Sequence, residues 1–163
     1  MMELERRTAV LSEVRASAPA AQGPRTIAGR AIVYGSLSED LGGFREVFKP
    51  GSVHLADDLL ILFGHDARTV LGRTRAGTGR AWDDGLGIMF EAEPPATTWA
   101  RDLAVSMERG DIASCSFAFR SIDDYWFYSD LHQTVIREVL GAEVSELSIV
   151  SMPAYRATEA AMV

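Results

Sequence analysis

The sequence predicts a mainly β protein, a barrel or sandwich with one firm helix. Three observations carry this. Apolar residues alternate with period two along most of the chain, turn residues interrupt the alternation at short intervals, and only one stretch repeats at helical spacing. The chain has 163 residues, 47% hydrophobic and 24% charged, which suits one compact domain. A chain of that length buries about 68–70% of its unfolded surface without needing staples.

Taken in order, residues 4–15 alternate loosely and predict a first strand. Residues 16–24 are small and carry proline and glycine, so they predict a loop. Residues 26–34 alternate around Ile27, Ala31 and Val33 and predict a strand. Leu41-Gly42-Gly43 predicts a turn before a short strand over 44–48. Lys49-Pro50-Gly51-Ser52 predicts a brief helical turn around 53–56, capped by Ser52. Residues 59–63 are apolar throughout, the pattern of a strand buried on both faces, and stop at Gly64-His65-Asp66. Further strands are expected at 70–75 and 86–93.

The helix is expected after Thr97 or Thr98, either of which can cap it. Trp99, Leu103, Ser106 and Met107 recur at helical spacing, and Arg109-Gly110 supplies a cation and a left-handed glycine at the end. Strands near 112–120, 124–128, 132–140 and 146–150 complete the reading, the last stopping before Met152-Pro153.

Composition removes several function classes. Sixteen Lys and Arg against twenty-three Asp and Glu leave a net charge of −7. Phosphate backbones repel such a surface, so general nucleic-acid binding is disfavoured. One cysteine, Cys115, cannot form an internal disulfide, and three histidines at these spacings make no zinc ligand set. No apolar run approaches the ~20 residues of a membrane span. The first ten residues mix charges and lack the apolar core of a signal peptide. A cytosolic, soluble protein without cofactor is expected. The glycines of Gly72-Arg73 and Gly77-Thr78-Gly79 lack the strand–helix setting of a phosphate loop.

Three segments can carry chemistry. His65 ends an apolar strand, where imidazole can serve as a proton carrier; a histidine bonded only to its own turn is the plainer alternative. From Ile112 to Arg120, Cys115, Phe117 and Phe119 fall on one strand face, while Ser114, Ser116, Ala118 and Arg120 fall on the other. The second face offers hydroxyls with room beside them, as a nucleophilic serine needs, and an ordinary half-exposed strand looks the same. Glu146, Ser148 and Val150 share a face opposite Leu147 and Ile149. A carboxylate there can orient a histidine ring and stabilise its protonated form, or merely be solvated. Cys115 is a rival nucleophile whose apolar placement suggests a structural thiol. His54, in an expected polar turn, ranks below His65 as a base, and His132 has no evident hydroxyl partner.

The ordered set is more specific than its pieces. Residues 29–35 (GRAIVYG) precede Leu41-Gly42-Gly43-Phe44-Arg45-Glu46 and Pro50-Gly51-Ser52. Gly64-His65-Asp66 and Leu71-Gly72-Arg73-Thr74 follow, then Arg109-Gly110-Asp111 leading to Ser116-Phe117-Ala118-Phe119. Glu146-Leu147-Ser148-Ile149-Val150 and Pro153-Ala154-Tyr155 close the set. Together, over residues 26–158, they resemble the prohead proteases of tailed bacteriophages. Those are capsid-maturation serine endopeptidases related in fold to the herpesvirus assemblins.

The resemblance implies an assemblin-like closed β-barrel with a few surrounding helices. It implies one prohead protease domain over 1–163, with an N-terminal strand and loop at 1–25 and the catalytic core at 26–158. By motif position it implies Ser116 as nucleophile, His65 as general base and later acid, and Glu146 as third member. A register two residues off would make Ser114 the nucleophile, and Ser148 is an alternative supporting partner. Arg73, Arg120 or backbone amides near Ser116 are candidate oxyanion donors. Ala118 stands where family members commonly have glycine.

The implied activity is cleavage of scaffold segments, and of the protease itself, inside the immature capsid in the host cytoplasm. The implied partners are the major capsid protein with its scaffold segment and further copies of the chain, as a homodimer or larger oligomer, with no nucleic acid or membrane. A non-catalytic assembly module on the same fold is the principal alternative, and an esterase on that fold a weaker one.

Overall fold

The alternating segments assemble as two sheets, seen in a computed structural model that describes residues 3–10, 15–16 and 26–151. The strands are β1 (Glu5–Val10), β2 (Arg15–Ala16), β3 (Ile27–Val33), β4 (Phe44–Phe48), β5 (Val53–Phe63), β6 (Asp66–Arg73), β7 (Gly79–Asp83) and β8 (Gly87–Ala92). The helix α1 (Thr98–Glu108) and two long strands, β9 (Ser114–Ser129) and β10 (Thr134–Val150), follow. Most of the expected loop at 16–24 and the expected stop at Met152-Pro153 lie outside the described residues, as does Pro153-Ala154-Tyr155.

The larger sheet runs β1-β9-β10-β5-β6, with β4 also paired to β10; the smaller runs β2-β3-β8-β7. The expected closed barrel is therefore corrected to an open half-barrel. Its end strands, β1 and β6, do not pair with each other. At Gly72 the β6 edge meets the second sheet instead. A Cβ on Gly72 would lie 2.5 Å from the Thr78 carbonyl oxygen, and one on Gly79 would lie 2.9 Å from the Arg73 amide. Only glycines allow that approach, which gives Gly72 and Gly79 a packing role.

β10 organises the larger sheet. One edge is antiparallel to β9 along nearly its whole length. The other is parallel first to β4, Val135 opposite Phe44 through Val139 opposite Phe48, and then to β5. The turn after β4 hands this edge over: the Lys49 amide donates to Val139 O at 3.1 Å and the Ala142 amide to Ser52 O at 2.8 Å. The helical turn expected at 53–56 is thus the start of β5. Pairing with β10 overrides the local turn chemistry, and the Ser52 hydroxyl has no partner among the described residues. The strands expected at 112–120 and 124–128 are one strand, as are those at 132–140 and 146–150. β7 was not expected.

The helix falls where its spacing placed it. Leu103 and Met107 face the core, and Gly110 adopts φ 80 just beyond the end. Thr97 occupies the cap position, yet its hydroxyl makes no cap bond. The core lies between the sheets, where Phe48 meets Phe117 and Phe119 at ring distances of 5.4 and 5.2 Å. No described helix is long and apolar enough to cross a membrane.

At one end of the larger sheet an ion network ties four strands. Glu46 on β4 is fully buried and receives Arg7 Nε at 3.0 Å and Arg137 Nη1 at 3.0 Å. Arg137, also buried, reaches Glu5 at 2.6 Å and Asp124 at 2.7 Å. Its charged form is reinforced: burial opposes the charge, but bonds to Glu5 and Asp124 and the charge of Glu46 outweigh it and raise its pKa. Burial likewise opposes ionisation of Glu5 and Asp124, and Arg137 overrides it, holding both carboxyls below their usual range.

Two outcomes are expected from this network. Arg137→Met takes one guanidinium away from the buried Glu46 and lowers stability by about 3 kcal/mol, read from urea unfolding. Because the folded-state pKa values of Glu5 and Asp124 are depressed, their contribution is full above their ordinary values of 4.5 and 3.8 and is lost as pH falls through the lowered ones. The urea midpoint therefore falls with acidification below about pH 4.5, and less so in Glu5→Gln.

Candidate active site

His65 is placed by a tight turn. Phe63 pairs with Asp66 across the β5–β6 hairpin, leaving Gly64 and His65 as a two-residue loop at φ 64 and 59. Paired positive φ values are the mark of the type I′ turn, whose twist matches that of the strands. Glycine adopts this region freely, and histidine is among the residues that tolerate it. The turn is pinned to β10: the Gly64 amide donates to Ile149 O at 2.9 Å and the His65 amide to Ser148 Oγ at 2.8 Å.

Glu146 is placed by a bulge. Val144 pairs with Phe119 but Glu146 pairs with Ala118, so Ser145 is an extra residue in β10. In an unbroken strand Val144 and Glu146 would share a face. The extra residue reverses this, keeping Val144, Leu147 and Ile149 in the core and sending Glu146 to the opposite face with Ser148. There the Glu146 carboxylate meets the His65 ring, Nδ1 to Oε1 at 2.5 Å, across 81 residues of sequence. Both side chains are partly exposed, 23% for His65 and 14% for Glu146.

Ser116 lies on that same face of the sheet. It pairs with Ser148, whose hydroxyl is bonded to the His65 amide, so the two hydroxyl residues stand side by side on neighbouring strands. Ser116 is fully buried, and its Oγ donates to the Arg7 carbonyl on β1 at 2.9 Å. Among the described residues no hydrogen bond joins Ser116 to His65. The structure thus brings His65, Glu146 and Ser148 into contact and sets Ser116 one strand away, with its hydroxyl turned toward β1.

The other candidates separate clearly. Ser114 is on the Ser116 face, two pairs further along, opposite Val150. Cys115 points into the core, and burial pushes its thiol up to about 12, so little thiolate forms at neutral pH. His54 is exposed on β5 opposite Glu143, in a strand rather than the expected turn. His132 sits in the exposed turn between β9 and β10, not on a strand. The two arginines have carboxylate partners: Arg73 binds Asp58 through Nε at 2.8 Å, and Arg120 approaches Glu143 at 3.6 Å. Among the described residues no three His, Cys, Asp or Glu side chains gather as metal ligands.

Sequence reasoning missed the part β1 plays beside Ser116; it named Ser148 as an alternative supporting partner, and the structure shows that support reaching the His65 backbone amide. It also missed the bulge. That one had a signal, since the buried residues Ala142, Val144, Leu147 and Ile149 step by two, three and two. A step of three inside a two-step pattern marks an inserted residue. Chemically, a carboxylate on Nδ1 fixes the imidazole so that Nε2 is left to exchange a proton with a hydroxyl on the same face.

Neither a curated protein nor a solved structure matches the chain. A family model described as caudovirus prohead serine protease matches residues 12–163, nearly the whole sequence. The chain belongs to that family of prohead serine proteases.

Proposed function

We propose that the protein is a serine endopeptidase that cleaves scaffold and capsid-protein segments within the prohead, using His65, Ser116 and Glu146. The observation that carries this is the His65–Glu146 contact, built from a hairpin turn and a strand bulge on the sheet face that bears Ser116. Two irregular backbone features converge on one imidazole–carboxylate pair.

In this reading Ser116 Oγ attacks the scissile carbonyl carbon while His65 Nε2 takes its proton. Glu146 holds Nδ1–H and stabilises the imidazolium that forms. The tetrahedral intermediate collapses as His65 passes the proton to the leaving amine, giving an acyl-enzyme. Water, deprotonated by His65, then releases the acid and restores Ser116. Ser148 acts on backbone geometry, since its hydroxyl accepts the His65 amide and not the ring.

Coexpression with the major capsid protein tests the reading by intact mass. The wild type and Ser114→Ala are expected to release a defined capsid fragment, and Ser116→Ala none, a loss of about 10⁶ in kcat. Processing by Ser116→Ala but not Ser114→Ala would transfer the role to Ser114. Glu146→Gln is expected to lower kcat by about 10⁴ with little change in KM, because it removes the group that orients the base.

A second reading, a non-catalytic assembly module, is favoured by one observation: the Ser116 hydroxyl is buried and bonded to a backbone carbonyl. A fluorophosphonate probe separates the two. Labelling that requires both Ser116 and His65 marks an enzyme, and its absence from the folded protein under all conditions marks the module.

A further inference from the structure

β1 occupies the one stretch of the β9 edge that carries Ser116. The pairing is antiparallel and unbroken, from Glu5 opposite Phe119 to Val10 opposite Ser114, with Thr8 opposite Ser116. From Arg120 onward the same edge of β9 has no strand partner among the described residues. The Ser116 hydroxyl already addresses an extended backbone, the Arg7 carbonyl at 2.9 Å. That is the kind of group a serine nucleophile must approach. It is also why the hydroxyl faces away from β10, whose edge holds the histidine turn.

Side chains hold β1 in place as well as its ladder. Glu5 binds Arg137 at 2.6 Å and Arg7 binds the buried Glu46 at 3.0 Å. β1 also lies upstream of residues 12–163, the span that the family model matches. The strand lying against the candidate nucleophile is therefore not part of the matched region.

We propose that β1 is an internal occupant of the substrate slot. An extended peptide substrate pairs antiparallel with β9 in its place, with the scissile carbonyl at the position of Arg7, and Ser116 is reached only after β1 leaves. Addition of a strand to an open sheet edge is an established mode of peptide binding, with affinity supplied by main-chain bonds. Once the Arg7 carbonyl departs, rotation about χ1 frees the Ser116 hydroxyl to turn toward His65, a movement on the picosecond-to-nanosecond scale for an exposed side chain. The inference rests on Ser116 being the nucleophile.

The test measures the rate at which a fluorophosphonate labels the full-length chain, with Ser116→Ala as the blank. The Arg7 carbonyl faces β9, so by antiparallel alternation the amide of Ala9 faces it too, and Ala9→Pro removes a ladder bond of β1 while leaving His65, Ser116 and Glu146 unchanged. It is expected to speed labelling about tenfold, the factor set by one net hydrogen bond. Ala9→Cys acts in the opposite sense. Ala9 is the register partner of Cys115, and paired Cα positions lie within disulfide reach. Oxidation should slow labelling about tenfold or more, and reductant should restore it. Circular dichroism verifies that each variant is folded. Equal labelling of wild type, Ala9→Pro and oxidised Ala9→Cys, with Ser116→Ala unlabelled, would overturn the occupant role and leave the serine reading standing. Labelling absent from every folded variant would remove both.

Discussion

Ser145 is one residue more than the β9–β10 ladder can pair, and the site depends on where that residue is accommodated. On its carboxyl side, Leu147 and Ile149 return to the core while Glu146 and Ser148 take the opposite face of the sheet. Without the bulge, keeping Ala142 and Val144 buried would force Leu147 and Ile149 out and turn Glu146 inward. Two large apolar side chains would be lost from the core and a carboxylate gained in it. The apolar interior thus enforces the insertion, and the insertion aims the carboxylate. Stability and chemistry are set here by the same pleat.

The opposite end of the sheet follows a different rule. There charge is buried, and it is tolerated because Glu46 is surrounded by hydrogen-bonded guanidinium groups. Such a cluster contributes less net energy than its bond count suggests, because desolvating each ion offsets much of the attraction. Its worth lies in register. Arg137 can satisfy Glu5, Glu46 and Asp124 together only when β1, β4, β9 and β10 are all aligned. A slipped strand would strand a charge in a poorly solvated place.

Much of the architecture was legible in the sequence. β4, the helix and the Leu41-Gly42-Gly43 turn fall at the expected positions because local propensity and tertiary packing agree there. The long strands did not read as single elements, since Gly141, Ser145 and the polar residues Ser121, Asp123 and Asp124 interrupt the alternation that signals a strand. β5 began as a misread turn because only its parallel partner, some ninety residues away, decides its conformation. Within the site, His65 and Glu146 could be named from motif order, yet their contact depends on a turn and a bulge. The direction of the Ser116 hydroxyl was not legible at all. It depends on a carbonyl 109 residues away, in a segment without any motif.

The parallel arrangement of β4 and β5 against β10 carries a temporal consequence. Parallel neighbours so distant in sequence cannot pair by local zippering, and their loop-closure entropy must be met before any contact rewards it. During synthesis the histidine turn emerges about eighty residues before its carboxylate. The hairpin can fold early, but the imidazole has no partner until nearly the whole of β10 is available. Domains acquire their structure as the chain leaves the ribosome, and in this one the chemistry is the last part to be assembled. A nascent chain therefore carries the histidine without the pair.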